Sequence, residues 1–110
     1  MHIMLVRALI ALLCVVPAVG YAVDGRAIVT QGNGKGAAAC VTCHGDNGIG
    51  LAGAAFVRLA GLSEPYIAKQ LHDFKQGARD NPIMKPMAAT LADNEIAAVA
   101  RYYASLPAPK

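Results

Sequence analysis

Residues 40–44 of this chain read CVTCH. Two thiols three positions apart, followed at once by an imidazole, form a compact set of groups for covalent or coordination chemistry. A Cys-x-x-Cys pair has three common uses: a redox disulfide, half of a zinc site, or the covalent attachment of haem. The redox use wants the pair opening a helix after a strand, in a βαβ unit, and no alternating apolar run here suggests a strand. Zinc wants four ligands, commonly with a second cysteine pair. Residues 23–110 offer only His44 and His72 besides the pair, and His44 follows Cys43 too closely to be an ordinary partner. Haem attachment wants C-x-x-C-H, and that motif is complete.

The spacing has a direct physical reason. Each thiol adds to one vinyl group, and two intervening residues match the separation of the vinyls along one porphyrin edge. The next side chain, His44, then lies under the iron and can offer its Nε2. Gly45, Gly48 and Gly50 follow within the stretch GDNGIG. A chain that turns sharply beside a flat ring needs positive φ, which glycine adopts without steric cost.

Such an iron has a second axial position. A methionine sulfur there raises the potential and suits electron transfer. The stretch NPIMKPM carries Met84 and Met87, in a segment stiffened by Pro82 and Pro86. Either could reach the iron from the side opposite His44, and either could instead fill a gap in the core. His72 is a third candidate, placed by its neighbours Asp73 and Lys75 on a partly exposed face.

The elements that must position these groups are helical. Asp24 is an N-cap type before the helical spacing of Ala27, Ile28 and Gln31, and GNGKG (32–36) ends that helix in a loop predicted to be flexible. The clearest helix is 63–77: Ser63 caps it, Pro65 sits in its first turn, Gly77 stops it, and Ile67, Leu71 and Phe74 form its apolar stripe. Residues 78–92 contain two prolines and read as extended or looping, because each proline disfavours helix in the residue before it. A last helix over 93–106 places Ile96, Val99, Tyr103 and Leu106 on one face, with Pro107 closing it. The predicted class is all-α.

The chain has 110 residues and a net charge of +3. That charge is too mild for a nucleic-acid binder, and no basic stripe with interleaved aromatics appears. Residues 1–22 have Arg7 near the start, an apolar run from Ala8 to Val16, Pro17, and small residues at Gly20 and Ala22. This is the plan of a secretory signal peptide cleaved near Ala22. The run is short for a membrane span, which needs about 20 residues. Cys14 lies in this segment and would leave with it, since Leu13 is too large for a lipoprotein site. A single domain, residues 23–110, remains. It is small enough to need a cofactor in its core. Thiol attachment of haem takes place outside the cytoplasm, in agreement with export to the periplasm.

The stretches ACVTCHGDNGIG, FVRLAGL, YIAKQLHDFKQGARDNPIMKPMAATL and EIAAVARYYASLP together resemble the class I cytochromes c, especially small bacterial periplasmic ones. The order is characteristic: haem motif early, M-x-x-M segment before a C-terminal helix. Cytochromes c′ carry the motif near the C-terminus instead. The resemblance implies three main helices plus loops wrapped around one haem c per chain, attached through Cys40 and Cys43. It implies His44 and Met84 as axial ligands, Met84 being seven positions before Leu91. It implies that the first and last helices cross through Gly25 and the small face near Ile28, against Tyr102 or Tyr103. A backbone carbonyl after the haem motif should orient His44; the segment lacks the usual prolines, so Ala54 or a neighbour would supply it. Ala92 stands where similar proteins have Ser, leaving Asp93 to cap the last helix.

The implied function is one-electron transfer rather than enzymatic catalysis, as a free carrier or as the haem subunit of a periplasmic dehydrogenase or oxidase complex. Partners would be periplasmic or membrane-bound redox proteins, a dehydrogenase as donor and an oxidase or other acceptor. No nucleic acid and no small-molecule substrate at the iron are expected. Lys35, Lys75 and Lys85 could flank an exposed haem edge, or be ordinary solvated residues.

Overall fold

The computed structural model describes residues 22–51 and 56–110. Except for Ala22, the expected signal peptide lies outside the described residues, as does Ala54. Five helices occur among the described residues: α1 (Gly25–Gln31), α2 (Val41–His44), α3 (Glu64–Gln76), α4 (Met84–Ala89) and α5 (Asp93–Ser105). Helices α1, α3 and α5 are the expected ones. Asp24 accepts a hydrogen bond from the Ala27 N–H at 3.2 Å, and Ser63 accepts one from the Tyr66 N–H at 3.3 Å. Gly77 closes α3 in the left-handed conformation, φ 82°.

Helix α5 packs on α1 and α3, and α3 packs on α4. The shared core is Ile28, Val29, Ile67, Leu71, Phe74, Leu91, Ile96, Val99 and Tyr103, with small Ala88 and Ala100 between. The apolar stripes of α3 and α5 therefore face one another, as their spacing requires. The crossing of α1 and α5 falls at Gly25, against the backbone of Ala98 rather than a tyrosine. A Cβ at Gly25 would stand 2.1 Å from the Ala98 carbonyl oxygen. Only glycine permits this approach.

Three local expectations need correction. Residues 78–92 are not wholly extended, because α4 forms within them. Pro86 is the third residue of α4, where its missing N–H would have had no intrahelical partner. The Asn81 side chain accepts hydrogen bonds from the Ile83 and Met84 N–H groups, each at 2.9 Å, and so starts the helix. Similarly, the haem motif forms its own helical turn, α2, hidden from pattern reading because four residues show no period.

Asp93 does not cap α5. Ala92 is the N-cap, and Glu95 reaches back to accept its N–H at 2.9 Å. The GNGKG loop is also pinned rather than free. The Asn33 Nδ2 donates to the Thr90 carbonyl at 2.9 Å, its Oδ1 accepts from the Lys35 and Ala37 N–H groups, and Lys35 pairs with Glu95 at 2.6 Å. These bonds hold residues 37–39, which lead directly into Cys40.

Candidate cofactor site

A cavity of about 460 Å³ lies between the haem-motif segment, α3 and α4. Its walls include Cys40, Cys43, His44, Met84 and Met87, with Leu59, Ile67, Leu71, Phe74, Leu91 and Val99 supplying apolar surface. All four residues expected from the sequence are thus brought to one space, although 40 positions separate His44 from Met84. The lining is that of a small-molecule or cofactor site: mostly apolar, with a few polar groups converging.

Cys40 and Cys43 are not joined in a disulfide, and each is partly buried. Burial is the main reason the Cys40 thiol is pushed above its ordinary pKa. His44 is buried, and its Nδ1 lies 2.7 Å from the Val57 carbonyl oxygen. A carbonyl only accepts, so Nδ1 carries the proton and Nε2 keeps its lone pair. This is how a protein prepares a ligating histidine. The orienting carbonyl is that of Val57.

The glycine loop after the motif behaves as its residue types require. Gly45, Gly48 and Gly50 have φ of 86°, 66° and 77°. At Gly48 space is also decisive: a Cβ there would meet Tyr103 Cε1 at 2.7 Å. The Gly50 N–H donates to the His44 carbonyl at 2.8 Å, and the Leu59 and Ala60 N–H groups both donate to Gly48. Val57 is thereby folded back over the histidine.

The two methionines differ. Met84 is the first residue of α4 and lines the cavity. Met87 also lines it, but its sulfur accepts the Ala38 N–H at 3.3 Å. His72 is not among the lining residues; its Nδ1 lies 4.0 Å from Asp93 on the outer face of α3. The three lysines are not in the lining either. Lys35 pairs with Glu95, and Lys75 donates to the Leu91 carbonyl.

The cations of the exposed rim are instead Arg58 and Arg79, which the sequence reading did not single out. Arg79 stacks 4.6 Å above the Phe74 ring and donates to Gln70 Oε1 at 2.6 Å. An arginine five residues after a helical phenylalanine was the available signal, but the chain must first turn back at Gly77 to bring them together. Exposed Val57, Tyr66 and Ile83 complete the rim with apolar surface.

The residues present fit a covalently bound haem. Two thiols meet the requirement for attachment, a tautomer-fixed imidazole and a thioether meet that for axial ligation, and the walls are apolar. The Tyr103 hydroxyl, buried without a well-formed hydrogen bond, points to a group that completes this interior.

Comparison with known proteins agrees. The family profile described as Cytochrome c matches residues 23–107. The thiosulfate dehydrogenase electron acceptor of Stutzerimonas stutzeri (strain A1501) is 54% identical over 89 residues, covering 80% of this chain and 41% of that protein. The solved structure of reduced recombinant cytochrome c4 from Pseudomonas stutzeri superposes with a TM-score of 0.72 at 38% identity, over 76% of this chain and 46% of that one. A thiosulfate dehydrogenase structure from Marichromatium purpuratum gives 0.73 at 40% identity, over 76% of this chain and 18% of that one. The chain therefore spans less than half the length of these relatives. From the motif, the helical fold and the profile match together, the chain belongs to the cytochrome c family.

Proposed function

We propose that this protein is a one-electron carrier with a single haem c, attached through Cys40 and Cys43 and ligated by His44 and Met84. The observation that carries this reading is the convergence of the two thiols, the His44 imidazole and Met84 on one apolar cavity. When bound, the haem iron supplies a ferric–ferrous couple. His44 Nε2 offers a nitrogen ligand whose direction is held by Val57. Met84 is favoured over Met87 because the Met87 sulfur is already engaged by Ala38. With His44 and Met84 both holding the iron, no small-molecule substrate would reach it. The apolar wall excludes water, and Arg58 and Arg79 would supply positive charge at its rim to an anionic group of the cofactor.

Residues 1–22 act as a signal peptide cleaved near Ala22, delivering residues 23–110 to the periplasm. No helix among the described residues is long and apolar enough to cross a membrane. The partners are redox proteins. The Stutzerimonas relative's name favours a thiosulfate dehydrogenase as donor, and the exposed apolar residues Val57, Tyr66 and Ile83 suit brief docking at the cavity rim.

The test is an absorption spectrum of the secreted protein made with a haem-attachment system. Sharp reduced bands and haem that resists acid–acetone extraction are expected. The weak red-end sulfur–iron band of the oxidised form should vanish in Met84→Ala and survive in Met87→Ala. A high-spin spectrum would indicate an open iron site, and no Soret band would return the cysteines to disulfide chemistry. Rapid reduction of the oxidised protein by a thiosulfate dehydrogenase with thiosulfate would support the donor; no reduction would remove it.

A further inference from the structure

Tyr103 belongs to the cavity wall that also holds Cys40. The residue is 1% exposed, and its buried hydroxyl has no well-formed hydrogen bond, the Cys40 sulfur being the polar atom beside it. A buried hydroxyl left in this state is costly. Phenylalanine would fill the same space without that cost, so the hydroxyl calls for an acceptor.

The ring has little freedom to find water. The Gly48 loop rests on its edge, and the Tyr103 carbonyl accepts the Gly61 N–H at 3.0 Å. Tyr102, stacked edge-on at 5.7 Å, lines a separate groove beside Gly25 and Arg26. The two adjacent phenols therefore serve different surfaces, and only Tyr103 borders the cavity. Burial drives the Tyr103 phenol well above its ordinary pKa. The group is a neutral O–H donor throughout the working pH range.

We propose that the Tyr103 hydroxyl donates a hydrogen bond to the cofactor at its Cys40 attachment, on the thioether sulfur, and so raises the reduction potential. This inference rests on the haem reading above. A donor stabilises whichever oxidation state places more electron density on its acceptor, which is the reduced one. Tyr103 is thus a positioning and tuning residue that leaves the axial ligands in place.

The experiment is Tyr103→Phe in the haem-loaded protein, with the midpoint potential measured by spectroelectrochemical titration and unfolding followed separately in each oxidation state. The equilibrium constant for electron uptake from a reference couple should fall at least threefold, about 28 mV at 59 mV per tenfold. The reduced form should lose more stability than the oxidised form. Tyr102→Phe makes the same chemical change outside the cavity and should leave the potential unchanged. An unaltered potential in Tyr103→Phe, or an equal fall in Tyr102→Phe, overturns the proposal. Both variants are read only on protein whose spectrum shows covalent haem, so failure of the haem reading would be seen first and separately.

Discussion

On the histidine side of the cavity, residues 40–51 and 56–60 make backbone bonds largely among themselves, and Gly61 ties them to the Tyr103 carbonyl. Gly50 returns to His44, Leu59 and Ala60 to Gly48, and His44 itself to Val57. On the methionine side, residues 81–91 lean on distant parts of the chain. Asn33 holds Thr90, Ala38 holds Met87, and Lys75 holds Leu91. Local bonds there come from Asn81, which accepts from Ile83 and Met84, and from Thr90, whose hydroxyl donates to the Met87 carbonyl at 3.0 Å. The histidine ligand is thus positioned mainly by bonds within its own loop, which rests on Tyr103 of α5 at Gly48, whereas the methionine segment leans more on distant parts of the chain. Disturbance should therefore release Met84 before His44.

The largest expected effect tests the histidine side. Gly48→Ala places a side chain in a left-handed backbone, at about 1–2 kcal/mol, and against the Tyr103 ring, at about 1–3 kcal/mol. Denaturant unfolding of the haem-loaded protein should show a loss near the sum of these. A cost no greater than that of Asn81→Ala would erase the contrast between the two sides.

Asn81→Ala comes next. It removes the side-chain acceptor for two N–H groups at the start of α4, and losing a helix start of this kind costs about 1 kcal/mol. On heating, the sulfur–iron band should disappear at a lower temperature than in the parent, with the haem still attached and His44 still bound. Simultaneous loss of both ligands would show that the two sides open as one unit.

The smallest effect concerns the link from α5 to the loop before Cys40. The Lys35 hydrogen bond, aided by the Ala92 N–H, holds the Glu95 carboxyl below the usual carboxylate range. The folded state therefore binds the proton less readily than the unfolded state. This contribution is present above the unfolded pKa of about 4.3 and is lost as pH falls through the lower folded value. Glu95→Gln should cost at most about 1 kcal/mol at neutral pH, since Lys35 is exposed. The difference from the parent should shrink on acidification below pH 4; a constant difference would assign the effect to packing.

Much of this was legible in residue types. Asp24, Ser63, Pro65 and Gly77 marked the ends of α1 and α3 because capping is a short-range matter of one side chain and one N–H. The helix within 84–89 was hidden because proline signals are ambiguous: Pro86 breaks a helix in its interior and is harmless in its first turn, and only the start at Asn81 decides which applies. The pinned loop at 33–36 was hidden because glycine advertises freedom locally, while its constraint comes from Thr90 and Glu95.

The sequence by itself determined the chemistry available: two thiols and an imidazole at the spacing that haem attachment requires, and helices with apolar faces to enclose it. Covalent spacing and side-chain chemistry are local, so they can be read along the chain. Tertiary structure alone decided which carbonyl fixes His44, which methionine sulfur is already occupied, that Arg58 and Arg79 rather than the lysines stand at the rim, and that the Tyr103 hydroxyl is left without a well-formed hydrogen bond. Each of these depends on contacts between segments distant in sequence or on the path of a glycine-rich loop, and such contacts exist only once the helices have packed.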